Sequence, residues 1–307
     1  MRHRIYFISL CLFLACLFGR CKKIDLTAAY ISLGKDVFQI DMTNFNLEHS
    51  TYYDDEALNC IESQNFSDAW VFVNGKDLGT WELPCEIPIL ASGKTNIIIY
   101  PGVKMNGSST SRPRYPFVDG GHLTLDLQPG ETTQIDKIPI KYYLPTQFNE
   151  VLETFESIAN QYFEATDSTG INFQRMMETH DPTSHHQVGV LTLGAGDSIF
   201  NIQSHNLNFN RLPEAVFLEM DFRCDAATTQ TFNVGMFIEK STTSIISYEP
   251  LVVVNASNEW KKIYINLTQS VLRNHTYATA YRVLLSGEYE GSTPINLYFD
   301  NIKVVYL

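Results

Sequence analysis

Val216-Phe-Leu-Glu-Met-Asp-Phe-Arg-Cys224 places Val216, Leu218, Met220, Phe222 and Cys224 on one parity and Glu219, Asp221 and Arg223 on the other. Successive side chains of a strand point to opposite faces, so a period of two makes one face apolar throughout. Phe232, Val234, Met236 and Ile238 repeat the pattern, with Thr231, Asn233 and Glu239 opposite. Leu251-Val-Val-Val254, Lys262-Ile-Tyr-Ile-Asn-Leu267, Arg282-Val-Leu-Leu285 and the stretch from Ile295 to the terminus add four strands, enough for two packed sheets. Within the last, Ile295, Leu297 and Phe299 share one parity, whereas Ile302, Val304 and Tyr306 take the other. A phase change at Asp300-Asn301 predicts a bulge or bend there.

Upstream, Asp68-Ala-Trp-Val-Phe-Val-Asn74-Gly75-Lys-Asp-Leu-Gly-Thr-Trp81-Glu-Leu reads as a hairpin, because Asn-Gly supplies the positive φ angles of a tight turn. Asn96-Ile-Ile-Ile-Tyr100 ends at Pro101-Gly102, and His122-Leu-Thr-Leu-Asp-Leu127 ends at Pro129-Gly130. These strand-and-turn signals recur at sandwich-like intervals. The 19 Phe and 16 Tyr suit strands better than helices. The reading is an all-β chain of two β-sandwich domains in tandem, the first Ig-like or related over 28–145 and the second jelly-roll-like over 150–307. At the junction, Phe148, Val151, Leu152, Phe155, Ile158 and Tyr162 fit helical spacing, but Glu153-Thr-Phe155-Glu156 fits an entrance strand, which the β character downstream favours.

Arg2 and Arg4 precede an apolar run from Ile5 to Phe18 that leads to Cys21-Lys22-Lys23. The run is shorter than the roughly 20 residues that cross a bilayer and fits a secretory signal. Residues 1–20 are expected to be a lipoprotein signal, Cys21 the lipidated residue and 21–27 a tether. Arg20 stands where a small residue is usual. Cys16 has Ala15 before it but would leave Leu17 and Phe18 at the head of the tether. A cleaved signal on a soluble periplasmic protein and an uncleaved anchor are the other readings. In an oxidising compartment Cys60 and Cys85 are disulfide candidates, closing a loop of about 25 residues worth about 2–4 kcal/mol. Cys224 shares its neighbours' apolar face and is expected to be a buried, inert thiol.

With 34 acidic against 22 basic residues, nucleic acid is excluded as a natural partner. The polar, proline-bearing stretch Lys104-Met-Asn-Gly-Ser-Ser-Thr-Ser-Arg-Pro-Arg-Tyr-Pro-Phe117 is expected to be a long loop. Loops of this kind carry binding functions, with Arg112, Arg114, Tyr115 and Phe117 as a contact surface. Alternatively, Tyr115-Pro116-Phe117 plugs the sandwich. Of the tryptophans, Trp70 and Trp260 are expected to be structural, leaving Trp81 as a surface stacking candidate. His180-Asp-Pro-Thr-Ser-His185-His186 lacks the carboxylate or cysteine spacing of a zinc site. Asp54-Asp55-Glu56 reads as a solvated loop. No Gly-x-Ser-x-Gly occurs, and Gly194-Ala-Gly-Asp is a turn lacking the lysine of a phosphate loop.

Val188-Gly-Val-Leu-Thr-Leu193, Asn258-Glu-Trp-Lys-Lys-Ile-Tyr-Ile-Asn-Leu267 and Leu297-Tyr-Phe-Asp-Asn-Ile-Lys-Val304 together resemble jelly-roll modules of the carbohydrate-binding and galactose-binding-like type. The Cys-Lys-Lys start and the first half resemble uncharacterised lipoproteins of the Bacteroidota. The resemblance implies fold more than activity. It implies a structural calcium between Glu156 and Asp300, although calcium takes six to eight oxygens and only these two side chains are identified. No other cofactor is expected. The functional expectation is a lipid-anchored, non-catalytic cell-envelope protein, an outer-membrane lipoprotein that recognises a glycan or extracellular polymer through its C-terminal jelly roll. The alternatives are an assembly protein binding another envelope protein through the 104–117 loop and, last, a glycoside-processing enzyme. Lys22 and Lys23 tilt the location toward the periplasmic face, whereas glycan binding pulls toward the cell surface.

Overall fold

Asn74 and Gly75 have φ of 50° and 77°, the turn that the hairpin reading requires. They join β3 (Asp68–Val73) to β4 (Lys76–Glu82) in a computed structural model that describes residues 27–43, 53–148, 151–157, 161–178, 186–196, 198–209, 212–225, 230–240 and 246–307. The signal segment, Cys16, Cys21, His180 and His185 lie outside the described residues. The preceding elements are β1 (Ala29–Leu33), β2 (Phe38–Ile40) and α1 (Asp55–Glu62). Following the hairpin are β5 (Cys85–Ile89), β6 (Gly93–Gly102), β7 (Gly121–Leu127), β8 (Thr132–Ile135) and β9 (Ile138–Ile140). They form a four-stranded sheet, β4-β3-β6-β7, a three-stranded sheet, β5-β1-β8, and the parallel pair β2-β9. Pro101-Gly102, read above as a strand end, continues β6 opposite Ala69 and Asp68.

The inward faces of these sheets, including Ala29, Ile31, Ala69, Val71, Ile97 and Ile99, share one core. Gly121 is tightly enclosed, since a Cβ there would lie 1.9 Å from Ile138 Cγ2. Gly121→Ala should therefore lower stability by about 1–3 kcal/mol, the usual cost of overpacking. Urea unfolding checks it, and an unchanged midpoint would contradict the packing described.

Asp54-Asp55-Glu56, expected as a solvated loop, instead opens α1. The Asp54 carboxylate accepts the Ala57 backbone N–H at 2.9 Å, and Asp55 and Glu56 occupy the first turn, where the helix dipole favours negative charge. Cys60 and Ile61 are its buried residues.

The second half contains β10 (Leu152–Glu153), β11 (Phe163–Ala165), β12 (Ile171–Met177), β13 (Gln187–Leu193), β14 (Ser198–Ser204), β15 (Val216–Cys224), β16 (Thr231–Lys240), β17 (Ile246–Asn255), β18 (Lys261–Asn266), α2 (Thr268–Asn274), β19 (Ala278–Tyr289) and β20 (Ile295–Tyr306). Two antiparallel sheets, β12-β13-β20-β15-β18 with β10 paired to β20, and β11-β14-β19-β16-β17, enclose the core. The junction is thus entered by a strand. The predicted parity holds: Val216, Leu218, Met220, Phe222 and Cys224 face that core, as do Phe232, Val234, Met236 and Ile238. Glu219 pairs with Lys303 and Asp221 with Asp300, so β20 carries the extra residue of a bulge, with Asn301 at φ 48°. Asn301 tolerates that angle and donates from Nδ2 to Asp221 at 3.0 Å.

The outer face of the six-stranded sheet is not solvated along its whole length. Phe217, Tyr264 and Val305 leave the second core and join Phe148 and Leu152 in the first. The backbone bridges Met105 to Tyr264 and Gln147 to Tyr306 cross the same seam. Within it lies an ionic cluster: Glu219 and Lys303, both with fully buried side chains, are 3.3 Å apart. Glu219 also accepts from the Tyr115 hydroxyl at 2.5 Å and from Gln64 Nε2 at 3.3 Å. Lys303 Nζ donates to the carbonyls of Cys60 at 2.6 Å and Ser63 at 2.9 Å. The last turn of α1 has no basic residue of its own, so its open carbonyls are capped by a lysine from the last strand. Burial pulls the Lys303 ammonium below its ordinary pKa, with Glu219 opposing.

Two expectations are corrected here. Cys60 is buried in α1 and Cys85 is half-buried in β5, both as free thiols, so no disulfide joins them. Burial lifts Cys60 to about 12 and Cys85 to about 11, which leaves both as unreactive thiols. Cys224 is buried in the second core as expected. Tyr115 and Phe117, read from the sequence either as a contact surface or as a plug of the sandwich, are buried at 2% and 0% exposure, which overturns the contact surface and agrees with the plug. Tyr115 is held by Glu219, and Phe117 meets Phe217 edge-on with centroids 5.5 Å apart. Their partner is the second half of the same chain.

Candidate functional site

Because Phe232, Val234, Met236 and Ile238 of β16 point into the core, Thr231, Asn233, Gly235 and Phe237 must point out of the five-stranded sheet. Register aligns Phe237 with Arg282 of β19 and with Tyr248 of β17. Asn233 likewise aligns with Ser286, which in turn aligns with Asn201 of β14. Two rows result, one aromatic and one polar.

In the aromatic row the Phe237 and Tyr248 rings are 5.7 Å apart and tilted by 58°. The Arg282 guanidinium lies 5.7 Å from the Phe237 centroid on the other side, within cation–π range. Tyr248 is 44% exposed, whereas Phe237 and Arg282 in the same row are half-buried. Gly235 explains its posture: a Cβ at that position would lie 2.4 Å from Tyr248 Cε2, so the tyrosine ring lies down over the bare backbone. The polar row lines a shallow depression of about 470 Å³ with Asn201, Thr231, Asn233, Ser286 and Glu288. The Asn233 and Glu288 side chains are exposed and have no intramolecular partner among the described residues. Aromatic faces beside amide, hydroxyl and carboxylate groups can hold a ligand that is apolar on one face and rich in hydroxyls at its edge.

No protein-family model matches the sequence, and no match was found among curated proteins. Solved structures of similar shape include a carbohydrate-binding module of the β-sandwich superfamily, at 11% identity and a TM-score of 0.39, covering 79% of this chain and 86% of that one. A family 22 xylan-binding domain is 14% identical, with a TM-score of 0.34, over 52% of this chain and 94% of that one. A family 11 carbohydrate-binding module of a Clostridium thermocellum cellulase is 12% identical, with a TM-score of 0.33, over 53% of this chain and 95% of that one.

None of the described site residues expected from the sequence lies at this face. Arg112 instead pairs with Asp68 at 2.6 Å and Glu82 at 2.8 Å, and its carbonyl accepts from Trp70 Nε1 at 2.9 Å. Glu82, between Lys104 and Arg112, is held down to about 2 by their hydrogen bonds. Arg114 sits over Tyr100 at 4.9 Å and Phe72 at 5.9 Å. Loop 104–117 therefore folds back over the outer face of β3 and β6. Trp70 is covered by that loop and does not enter the core. Trp81, expected to be an exposed platform, is half-buried against the first core, with its Nε1 lacking a partner among the described residues. Trp260 packs with Tyr298, Val188 and Val190 on the outer face of the six-stranded sheet, away from the sandwich core.

Glu156 and Asp300 are brought to neighbouring positions. Glu156 accepts the Gln187 backbone N–H at 2.7 Å, and Asp300 faces His186 at 3.4 Å. Burial raises the pKa of Asp300, and the hydrogen bond with Asp300 raises that of His186. No group of three or more His, Cys, Asp or Glu side chains placed to hold a metal occurs among the described residues.

Proposed function

We propose that the chain is a non-catalytic binding protein that takes a glycan on the outer face of its five-stranded C-terminal sheet. The observation that carries this reading is the Tyr248–Phe237 ledge beside the polar depression at Asn233 and Ser286. A pyranose ring presents a C–H face to an aromatic surface and hydroxyls at its rim, which match these two rows. The jelly-roll pattern of the sequence points to this half of the chain for binding, although no residue of the ledge stands out in it. The signal that marks it is the outward aromatic and glycine parity of β16, opposite the core parity.

Affinity electrophoresis against a panel of soluble polysaccharides tests the reading. At least one should retard the protein, and Tyr248→Ala should weaken that binding at least about tenfold, equivalent to about 1.4 kcal/mol. Gly235→Ala should weaken it as well, by pushing the Tyr248 ring off the sheet. Retardation that is absent throughout, or unchanged in both variants, would remove the proposal. We also propose that the protein is carried in the cell envelope on a lipid at Cys21. Metabolic labelling with an alkyne fatty acid should mark the wild-type chain and not Cys21→Ala.

A further inference from the structure

The seam between the two halves holds a cavity of about 440 Å³, where the turn after Val103 meets β17 and β18. Its size is that of a small-molecule site, and junctions between packed units are where such sites commonly form. Its charge departs from that of the rest of the chain. The protein has 34 acids and 22 bases, yet Lys104, Lys261 and Lys262 line this cavity and no Asp or Glu is among the described residues lining it. Two of the lysines have carboxylate partners that do not themselves line the cavity. Lys104 pairs with Glu82 at 2.7 Å, and Lys262, whose side chain is 2% exposed, pairs with Asp221 at 3.0 Å. Lys261 is exposed and has no ion-pair partner among the described residues. One uncompensated positive charge therefore stands at the mouth and two ammonium groups, partly neutralised, stand in the walls. A cleft with one sign of charge on its surface concentrates the field it presents to solvent.

Asn65, Asn106 and Asn255 are all exposed at the same cavity. Their amides can donate to oxygen as well as accept from hydroxyl, which suits a polyol bearing an acidic group. Asn106 is fixed in place: its backbone N–H donates to the Tyr264 carbonyl at 2.7 Å and its Oδ1 accepts from the Asn266 N–H at 2.8 Å. The Asn65 N–H donates to the Tyr264 hydroxyl at 2.9 Å. Both halves of the chain thus contribute preorganised groups to one pocket.

We infer that this seam cavity is a second binding site, for a saccharide-sized organic anion carrying a carboxylate or sulfate, with Lys261 as its principal charge contact. The site is distinct from the aromatic ledge and shares no residue named there. Isothermal titration of the full chain with digalacturonate, a sulfated disaccharide and neutral cellobiose tests it. At least one of the two anions should bind, with affinity falling as salt rises, and cellobiose should not compete. Which anion binds identifies the acidic group. Lys261→Glu should weaken that binding at least tenfold, whereas Tyr248→Ala should leave it unchanged. No binding of either anion, equal binding of cellobiose that persists in Tyr248→Ala, or indifference to Lys261→Glu would overturn the inference. Because Tyr248→Ala acts only on the ledge, failure of one site is told apart from failure of the other.

Discussion

Replacing Lys303 with alanine should destabilise the protein by about 3–5 kcal/mol, the cost of stranding one member of a buried ion pair. Lys303 sits on β20 with no exposed surface, 3.3 Å from an equally buried Glu219. Alanine would leave that carboxylate without its ion-pair partner, strip the ammonium from the Ser63 carbonyl, and leave the Cys60 carbonyl with only the Ser63 N–H at 3.2 Å. Tyr115 and Gln64 would remain on Glu219, but neither carries charge. Urea unfolding followed by circular dichroism measures the loss, and a change below about 1 kcal/mol would mean that the cluster contributes little. The Lys303→Met, Glu219→Leu double variant separates charge from packing. Removing both partners together should cost much less than removing either one, because no isolated charge is then left buried.

Phe117→Ala should cost a comparable amount, about 3–5 kcal/mol, by opening a cavity at the seam. Phe117 has no exposure and meets Tyr115 at 5.2 Å and Phe217 at 5.5 Å, both edge-on. Phe117 and Tyr115 belong to the first half and Phe217 to the second, so the substitution removes the centre of an aromatic chain that links the two. Calorimetry should show one cooperative transition in the wild type and a broadened or split transition in Phe117→Ala. A shift of less than about 1 kcal/mol with the transition still single would show that the halves are coupled elsewhere.

Much of the strand pattern was legible because it is local. Asn74-Gly75 dictates its turn through two residues, and the parity of Val216 to Cys224 needs only nearest neighbours. The bulge at Asp300-Asn301 was visible as a change of apolar phase within one strand. What escaped was non-local. Glu219 and Lys303 stand on the parity opposite the core residues of their strands and look solvated, and only the approach of α1, Gln64 and Tyr115 from far upstream buries them. Tyr115 and Phe117 fit either a contact surface or a plug in the sequence, and nothing in their neighbourhood identifies Phe217 and Glu219 as what they pack against. The capped start of α1 was present as Asp54 followed by Asp55 and Glu56, and was obscured because three acids in a row also suit a loop. The binding ledge was half visible: the outward positions of β16 follow from the inward ones, but the alignment of Phe237 with Tyr248 and Arg282 depends on strand order.

Strand β20 is a party wall. Ile302, Val304 and Tyr306 fill the second core, while Lys303 and Val305 turn the other way to complete the first. The half of the chain that is made first is therefore finished by residues made long after it. Until position 305 emerges, the first sandwich has an open core wall and an uncapped helix, and its apolar face must wait for roughly half of the chain to be made. Assembly cannot proceed one unit after another in the order of synthesis, as it does in chains whose domains are independent. For this protein the waiting period is built into the architecture, and it is the first half, the earlier to be made, that is held open longest.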